Sequence, residues 1–320
     1  MLEIAVAAIV PAAVVAPHLV PLHRVSPSTA ACVWLLALAL RALAAIGGAI
    51  FFLIYMPQTG AFEALADWCL HEVLPILTTH LGLSGHPLAH AASVLPGLAL
   101  ALSVLWLLFG IGRAWVALHR MLTRAVGEGP HGSTVVRDER VLVGVTGVGK
   151  GRVLVSERAL GAMDCHELEA SLAHERGHIN RRHRPLLLLG SFLGALARPL
   201  PGSRTAEREL SFSLERDADE YALRRACDPL ALASAICKAA VSTSPALAAL
   251  GGRGSVSLRV EHLLAGAPTH RAALLERGSQ LLAATLAALV LSLAATLPAW
   301  AVAAPGVGNG ATPSEGCHHR

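Results

Sequence analysis

Residues 281–304 contain no charged side chain, which restricts the solvent that stretch can occupy. A bilayer core of about 30 Å is crossed by about 20 helical residues, and only a helix satisfies its own backbone polar groups there. Three further segments have comparable length and character. Residues 93–112 run apolar into Gly110, Gly112 and Arg113. Residues 30–56 are apolar apart from Arg41, and residues 4–22 are apolar but interrupted by Pro11, Pro17 and His18. With 54% hydrophobic and 15% charged residues, the chain is too apolar for an ordinary soluble enzyme. Glu3 stands where a secretory signal would carry basic residues, so the first segment reads as a span.

The cations orient these four spans. The connection 57–92 has no Lys or Arg but contains Glu63, Asp67 and Glu72, whereas Arg113, Arg120 and Arg124 follow the third span. The expectation is a membrane domain over 1–117 (spans about 4–22, 30–56 and 93–112, with an extracytoplasmic loop 57–92). A cytoplasmic domain follows over 118–280, then a fourth span at 281–304 and a short outer tail over 305–320. Arg41 is expected at the cytoplasmic edge of a span running from about 42 to 60, with its stem snorkelling to the headgroups. The alternative has it facing the bundle interior as a functional charge. Net charge +4 suits an anionic inner leaflet, and no nucleic-acid motif accompanies it. The lipid bilayer is thus one expected partner and nucleic acid is not.

The outer loop reads as an amphipathic helix over Ala61–Leu81. Its His71, His80, His86 and His90 read as solvated, and Cys317, His318 and His319 as a frayed end. Cys165, Cys227 and Cys237 fall in the cytoplasmic domain, where thiols stay reduced, and match no zinc-ribbon spacing.

Inside that domain lies His174-Glu175-Arg176-Gly177-His178. Residues four apart on a helix share a face, so both imidazoles can reach one metal ion, with Glu175 beside a metal-bound water as general base. The helix has a start signal in Asp164 with Glu167 three residues on, a capping box. Leu168, Leu172 and Ile179 follow at helical spacing, and Pro185 is expected to limit the helix. A catalytic zinc site takes three protein ligands and leaves one position open. A second helical pattern, Ser213 to Leu223, supplies Glu215 as the third ligand. Asp219, four residues on, is read as the carboxylate that holds a ligating His in its tautomer. Asp217 is the rival ligand in that motif, and His183 lies five residues past His178, off the ligand face.

Ahead of these helices, Val141–Val145 and Arg152–Val155 read as two strands around a Gly-rich turn through Gly147, Gly149 and Gly151. An exposed strand edge there is one way to hold an extended peptide. Leu186–Leu196 is strongly apolar but short, so it reads as a buried or membrane-apposed helix and not as a fifth span.

The set of spans, a Gly-bounded strand, Val-Ser-Glu-Arg-Ala-Leu, A-H-E-R-G-H-I and E-R-D-A-D resembles the BlaR/MecR-type membrane zinc metallopeptidases over roughly residues 90–265. That resemblance implies a mainly α fold: multi-pass membrane helices plus a gluzincin-like domain with a small β-hairpin or sheet. It also implies Zn2+ held by His174, His178 and Glu215, with Glu175 as catalyst, in a bacterial cell membrane. The penicillin-binding sensor of the best-known members is not expected after 281–304. HtpX-type and CAAX-prenyl-protease-type peptidases share H-E-x-x-H and E-x-x-A-D. In the place of their His-Pro and basic residue stand Ser257-Leu258-Arg259-Val260, which makes Arg259, alongside His262 and Tyr221, a candidate oxyanion stabiliser. The expected function is a zinc metalloendopeptidase acting on a protein or peptide substrate in regulatory proteolysis. The alternatives are membrane-protein quality control, or a signalling or scaffold protein with a structural zinc.

Overall fold

The computed structural model describes residues 2–55, 87–123, 125–146, 151–225, 227–242, 253–265 and 271–302. The expected loop helix over Ala61–Leu81, His71, His80 and His86, the glycine turn around Gly149 and the tail from Cys317 lie outside the described residues. The chain divides into two compact units, residues 1–45 with 100–290, and residues 46–99 with 291–320.

The apolar segments form long helices: α1 (Leu2–Leu19), α2 (Pro27–Ile50), α3 (Pro87–Leu122) and α10 (Arg271–Val302). Among the described residues, Pro27–Ile54, Val94–Arg113 and Ala273–Ala299 are long and apolar enough to cross a membrane. At about 1.5 Å per residue the shortest of them covers a hydrocarbon core. Ile9–Leu19 of α1 is a shorter apolar helix. Leu102, Leu105, Trp106 and Phe109 of α3 are all exposed, a surface suited to lipid and costly in water.

Arg41 departs from its expected position at the membrane edge. It lies in the middle of α2 and is 1% exposed. Nη1 donates to Ala37 O at 3.2 Å, while Nη2 donates to Val14 O and lies 2.7 Å from His18 Nε2. Helix α2 continues unbroken on both sides of it, and the two Nη atoms are taken up by backbone carbonyls and the His18 ring, while Nε has no hydrogen-bond partner among the described residues.

Four short strands precede the site helices: β1 (Ala125–Glu128), β2 (Thr134–Val136), β3 (Val143–Thr146) and β4 (Arg152–Ser156). Their order is β1-β2-β4-β3. The expected hairpin is β3 with β4, antiparallel with Val143 opposite Val155 and Val145 opposite Val153. Strand β2 pairs with β4 in parallel and with β1 in antiparallel. The β-branched residues of β3 and β4 turn Val145, Val153 and Val155 into one cluster with Leu172 and, less buried, Leu168 and Ile179.

The remaining helices of the larger unit are α4 (Glu157–Ala162), α5 (Cys165–Asn180), α6 (His183–Leu196), α7 (Ser203–Leu223), α8 (Pro229–Ser242) and α9 (Arg253–Ala265). Helix α5 opens on the expected capping box: Glu167 N donates to Asp164 Oδ1, and Asp164 N donates to Glu167 Oε2. One face of α5 covers the sheet. The other carries Ala170 and Ala173 into a cluster with Ala222, Leu232 and Leu263 from α7, α8 and α9. Small side chains on this second face let the helix axes come close.

Pro185 does not stop α5. That helix ends at Asn180, and Pro185 sits in the first turn of α6, where a missing N–H costs nothing. The chain reverses at Arg182, a non-glycine residue at φ 54°, a conformation that costs energy and persists where surrounding contacts hold it. Helix α6 is one-sided: Gly190 lies against Leu210 of α7, while Leu188, Leu189 and Phe192 are exposed.

Candidate metal centre

Helix α5 brings His174, Glu175 and His178 to the junction with α7, and α7 brings Glu215, Asp217 and Asp219 to the same place. The contact is made through Gly177. A methyl group there would stand 3.1 Å from Ala218 Cα and 3.3 Å from its carbonyl oxygen, so only glycine lets the two backbones lie this close.

His174, His178 and Glu215 offer ligand atoms that all lie within 4.8 Å of one another. His174 Nε2 is 3.1 Å from His178 Nε2. Glu215 Oε2 is 3.4 Å from His174 Nε2, and its Oε1 is 3.5 Å from His178 Nε2. Zinc bonds of about 2.0–2.1 Å arranged tetrahedrally separate their donors by about 3.3 Å. Two imidazoles and one carboxylate at these separations fit a zinc-sized dication with one position left open.

The charges around these atoms have identifiable causes. Burial opposes protonation of His174, but the carboxylates of Asp219 and Glu215 raise it to about 10. Burial pushes His178 down to about 4, and the charge on His174 adds to that. In the metal-free site, therefore, one imidazole carries a proton and its neighbour does not. Burial opposes the charge on Glu215, yet Arg259 and His174 hold its carboxyl below the usual range. Glu175 is half-buried, and burial pushes its carboxyl up to about 7. A carboxyl poised there can both take and return a proton near neutrality.

Asp219 Oδ1 lies 2.8 Å from His174 Nδ1, at an angle that misses hydrogen-bond geometry, because Nδ1 has no such partner. At that distance the contact is a close electrostatic one. Arg259 reaches over from α9 to two carboxylates of α7, Glu215 and Asp219. Its Nε donates to Asp219 Oδ2 at 2.8 Å and its Nη2 to Asp219 Oδ1 at 2.7 Å, while Nη1 lies 2.8 Å from Glu215 Oε2. All three nitrogens are thus engaged by the two acids, and an oxyanion could use only the N–H bonds left over. His262 is turned to the carbonyls of Leu258 and His23, and Tyr221 OH accepts from Asn180 Nδ2.

The two residues outside the ligand set have their own arrangement. His183 is 1% exposed. Its Nδ1 lies 3.0 Å from His178 Nδ1, and its Nε2 lies 2.9 Å from Asp217 Oδ2. Asp217 also lies 3.8 Å from Arg181 Nη1. Helical periodicity puts position 183 off the ligand face. The left-handed turn at Arg182 returns it beneath the His178 ring, a route that no periodicity of α5 encodes.

Residues 142–249 match the family model described as Peptidase family M48. The matched stretch contains His174, Glu175, His178, Glu215 and Asp219, and Arg259 lies beyond it. No curated protein and no solved structure matches the chain. The match supports a metallopeptidase, and the three apolar helices support its association with a membrane.

Proposed function

We propose that this chain is a membrane-anchored zinc endopeptidase that cuts protein or peptide substrates on the cytoplasmic side of the membrane. The observation that carries it is the trio His174, His178 and Glu215, with donor atoms 3.1–3.5 Å apart, next to a half-buried Glu175. Those three residues would hold the metal. A zinc ion held there supplies Lewis-acid polarisation of a scissile carbonyl and makes water a better nucleophile near neutral pH. Glu175 takes the proton of the attacking water and delivers it to the leaving amine. Asp219 steadies the His174 ring, and Arg259 holds Glu215 and Asp219 in place. Strand β3 is an edge of the sheet and packs against α5. Its free side would receive the substrate backbone as an added strand.

A structural zinc would need a fourth protein ligand. His183, the nearest further imidazole, spends both nitrogens on His178 and Asp217, which favours the enzymatic reading. A regulatory substrate is favoured by the resemblance of HERGH and ERDAD, with their flanking spans, to the BlaR/MecR-type peptidases. The cytoplasmic side is favoured by Arg113, Arg120 and Arg124 after the third apolar segment.

Purified full-length protein is expected to hold about one zinc per chain. Glu175→Gln is expected to keep the metal and lose peptide cleavage, and wild-type-like cleavage by that variant would overturn the mechanism. A reporter fused after residue 130 should be active only in the cytoplasm. Comparing proteomes of cells that express wild type and Glu175→Gln would reveal the substrate as the protein left uncut.

A further inference from the structure

Asp217 and His183 form a line of contacts that ends on His178, and its direction can be deduced from the donors and acceptors alone. Asp217 as a carboxylate only accepts, so the hydrogen between it and His183 belongs to His183 Nε2. The two Nδ1 atoms of His183 and His178, 3.0 Å apart, share one hydrogen. If His178 is to present a bare Nε2 to a metal, its hydrogen must sit on Nδ1. His183 Nδ1 then accepts from it, which is the tautomer that donation to Asp217 already selects. The reverse assignment would place a hydrogen on His178 Nε2, pointing into the space between His174 and Glu215.

We propose that Asp217 and His183 are positioning residues for the metal: a buried carboxylate–imidazole relay that locks His178 in the tautomer and ring orientation whose Nε2 coordinates. The inference rests on the reading of His178 as a ligand. It gives the Glu215-to-Asp219 segment three tasks. Glu215 offers an oxygen to the metal, Asp219 faces the Nδ1 of His174 directly, and Asp217 faces the Nδ1 of His178 through one intervening imidazole. The backbone supports the arrangement, since Arg182 holds the left-handed turn that delivers His183. Arg181, on the near side of that turn, lies 3.8 Å from Asp217. Burial of His183 at 1% and Asp217 at 5% exposure keeps water from substituting for either partner.

The test uses full-length protein in detergent, with zinc affinity read by competition against a chromophoric chelator. The visible spectrum of the Co(II)-substituted protein reports on the coordination shell. Thermal unfolding of metal-free protein reports on the fold. His183→Phe and Asp217→Ala are each expected to weaken zinc binding by about 10–100-fold and to shift the Co(II) bands, in line with losses of outer-shell partners elsewhere. His183→Asn, whose side-chain oxygen can still accept from His178 Nδ1–H, should recover much of the affinity that His183→Phe loses. Asp217→Asn, which keeps an acceptor without the charge, should lose less than Asp217→Ala. These near-isosteric variants carry the test if the larger changes fail to fold. A folded His183→Phe or Asp217→Ala protein with wild-type affinity and an unchanged Co(II) spectrum would overturn the relay. So would equal losses in His183→Asn and His183→Phe. Failure of wild-type protein to take up zinc would instead overturn the metal reading itself, and the relay with it.

Discussion

Gly177 and Ala218 are the point at which the two motifs of the site touch: a side chain at 177 would meet Ala218 Cα at 3.1 Å. Gly177 lies three residues after His174 and one before His178, and Ala218 lies between Asp217 and Asp219. The spacing of the candidate metal ligands is therefore set by backbone approach at one glycine. Replacing a helix-interior glycine by alanine ordinarily gains about 1 kcal/mol. Here Gly177→Ala should gain none of that and should weaken zinc binding severalfold, because α5 and α7 must separate by a few tenths of an ångström. Gly177→Val should cost about 1–3 kcal/mol of overpacking. Thermal unfolding and zinc competition on the same samples read both effects, and a Gly177→Ala protein with raised Tm and unchanged affinity would contradict this account.

Arg259 balances buried Asp219 and half-buried Glu215, so its removal should be felt before any chemistry occurs. Arg259→Met leaves Glu215 and Asp219 with only the His174 imidazolium between them, and removing one partner of such an ion-pair network typically costs up to about 3–5 kcal/mol when it is fully buried. Arg259→Lys keeps the charge but cannot bridge both acids with a planar fork, and should fall between. If Arg259 instead served mainly as an oxyanion donor, Arg259→Lys would keep the Tm and lose kcat. Comparing the Tm of metal-free protein with the peptidase rate separates the two roles.

Metal uptake should release protons. His174 is raised to about 10 in the metal-free site, so it carries a proton at neutral pH, and coordination requires that nitrogen bare. The sign follows: lowering the pH favours the protonated, metal-free form, and raising it towards 10 tightens binding by about tenfold per pH unit. Calorimetric titrations with zinc in two buffers of different ionisation enthalpy should show release of about one proton at pH 7. Release of none would place the proton elsewhere.

Acid stability should depend on Glu167, away from the metal. Hydrogen bonds from Lys238 Nζ and Ser234 Oγ hold its carboxyl down to about 2, against the burial that opposes its charge. A depressed carboxyl contributes stability that is fully present above its ordinary value of 4.5 and is lost as the pH falls towards 2. Glu167→Gln should therefore lower the Tm at pH 7 by the equivalent of about 1 kcal/mol, a modest figure because Lys238 is partly solvated. The gap between wild type and variant should close between pH 4.5 and 2. A gap independent of pH would mean that shape, and not charge, sets the contribution of Glu167.

Much of this molecule can be read directly from its residue order. Asp164 and Glu167 announce the start of α5, because a capping box is a local exchange of hydrogen bonds within one turn. Three of the apolar stretches, 30–56, 93–112 and 281–304, overlap helices long enough to span, because length and transfer energy are additive along a chain. His174, His178, Glu215 and Asp219 stand out because i, i+4 spacing puts like-directed side chains on one face. What the order of residues leaves open depends on contacts between elements. Arg41 reads by sequence as a membrane-edge residue, yet the backbone carbonyls of Val14 and Ala37 receive it inside. Arg259, as one basic residue on a helix, shows nothing of the two carboxylates it bridges from a different element. His183 and Asp217 read separately, the one as off the ligand face of the His178 helix and the other as a rival ligand to Glu215. Only the left-handed turn at Arg182 and the close approach of Gly177 to Ala218 turn them into a pair behind His178. Helical periodicity is written into sequence because it comes from one repeating bond geometry. The meeting of two helix faces is decided by packing of the whole domain, which residue spacing alone does not encode.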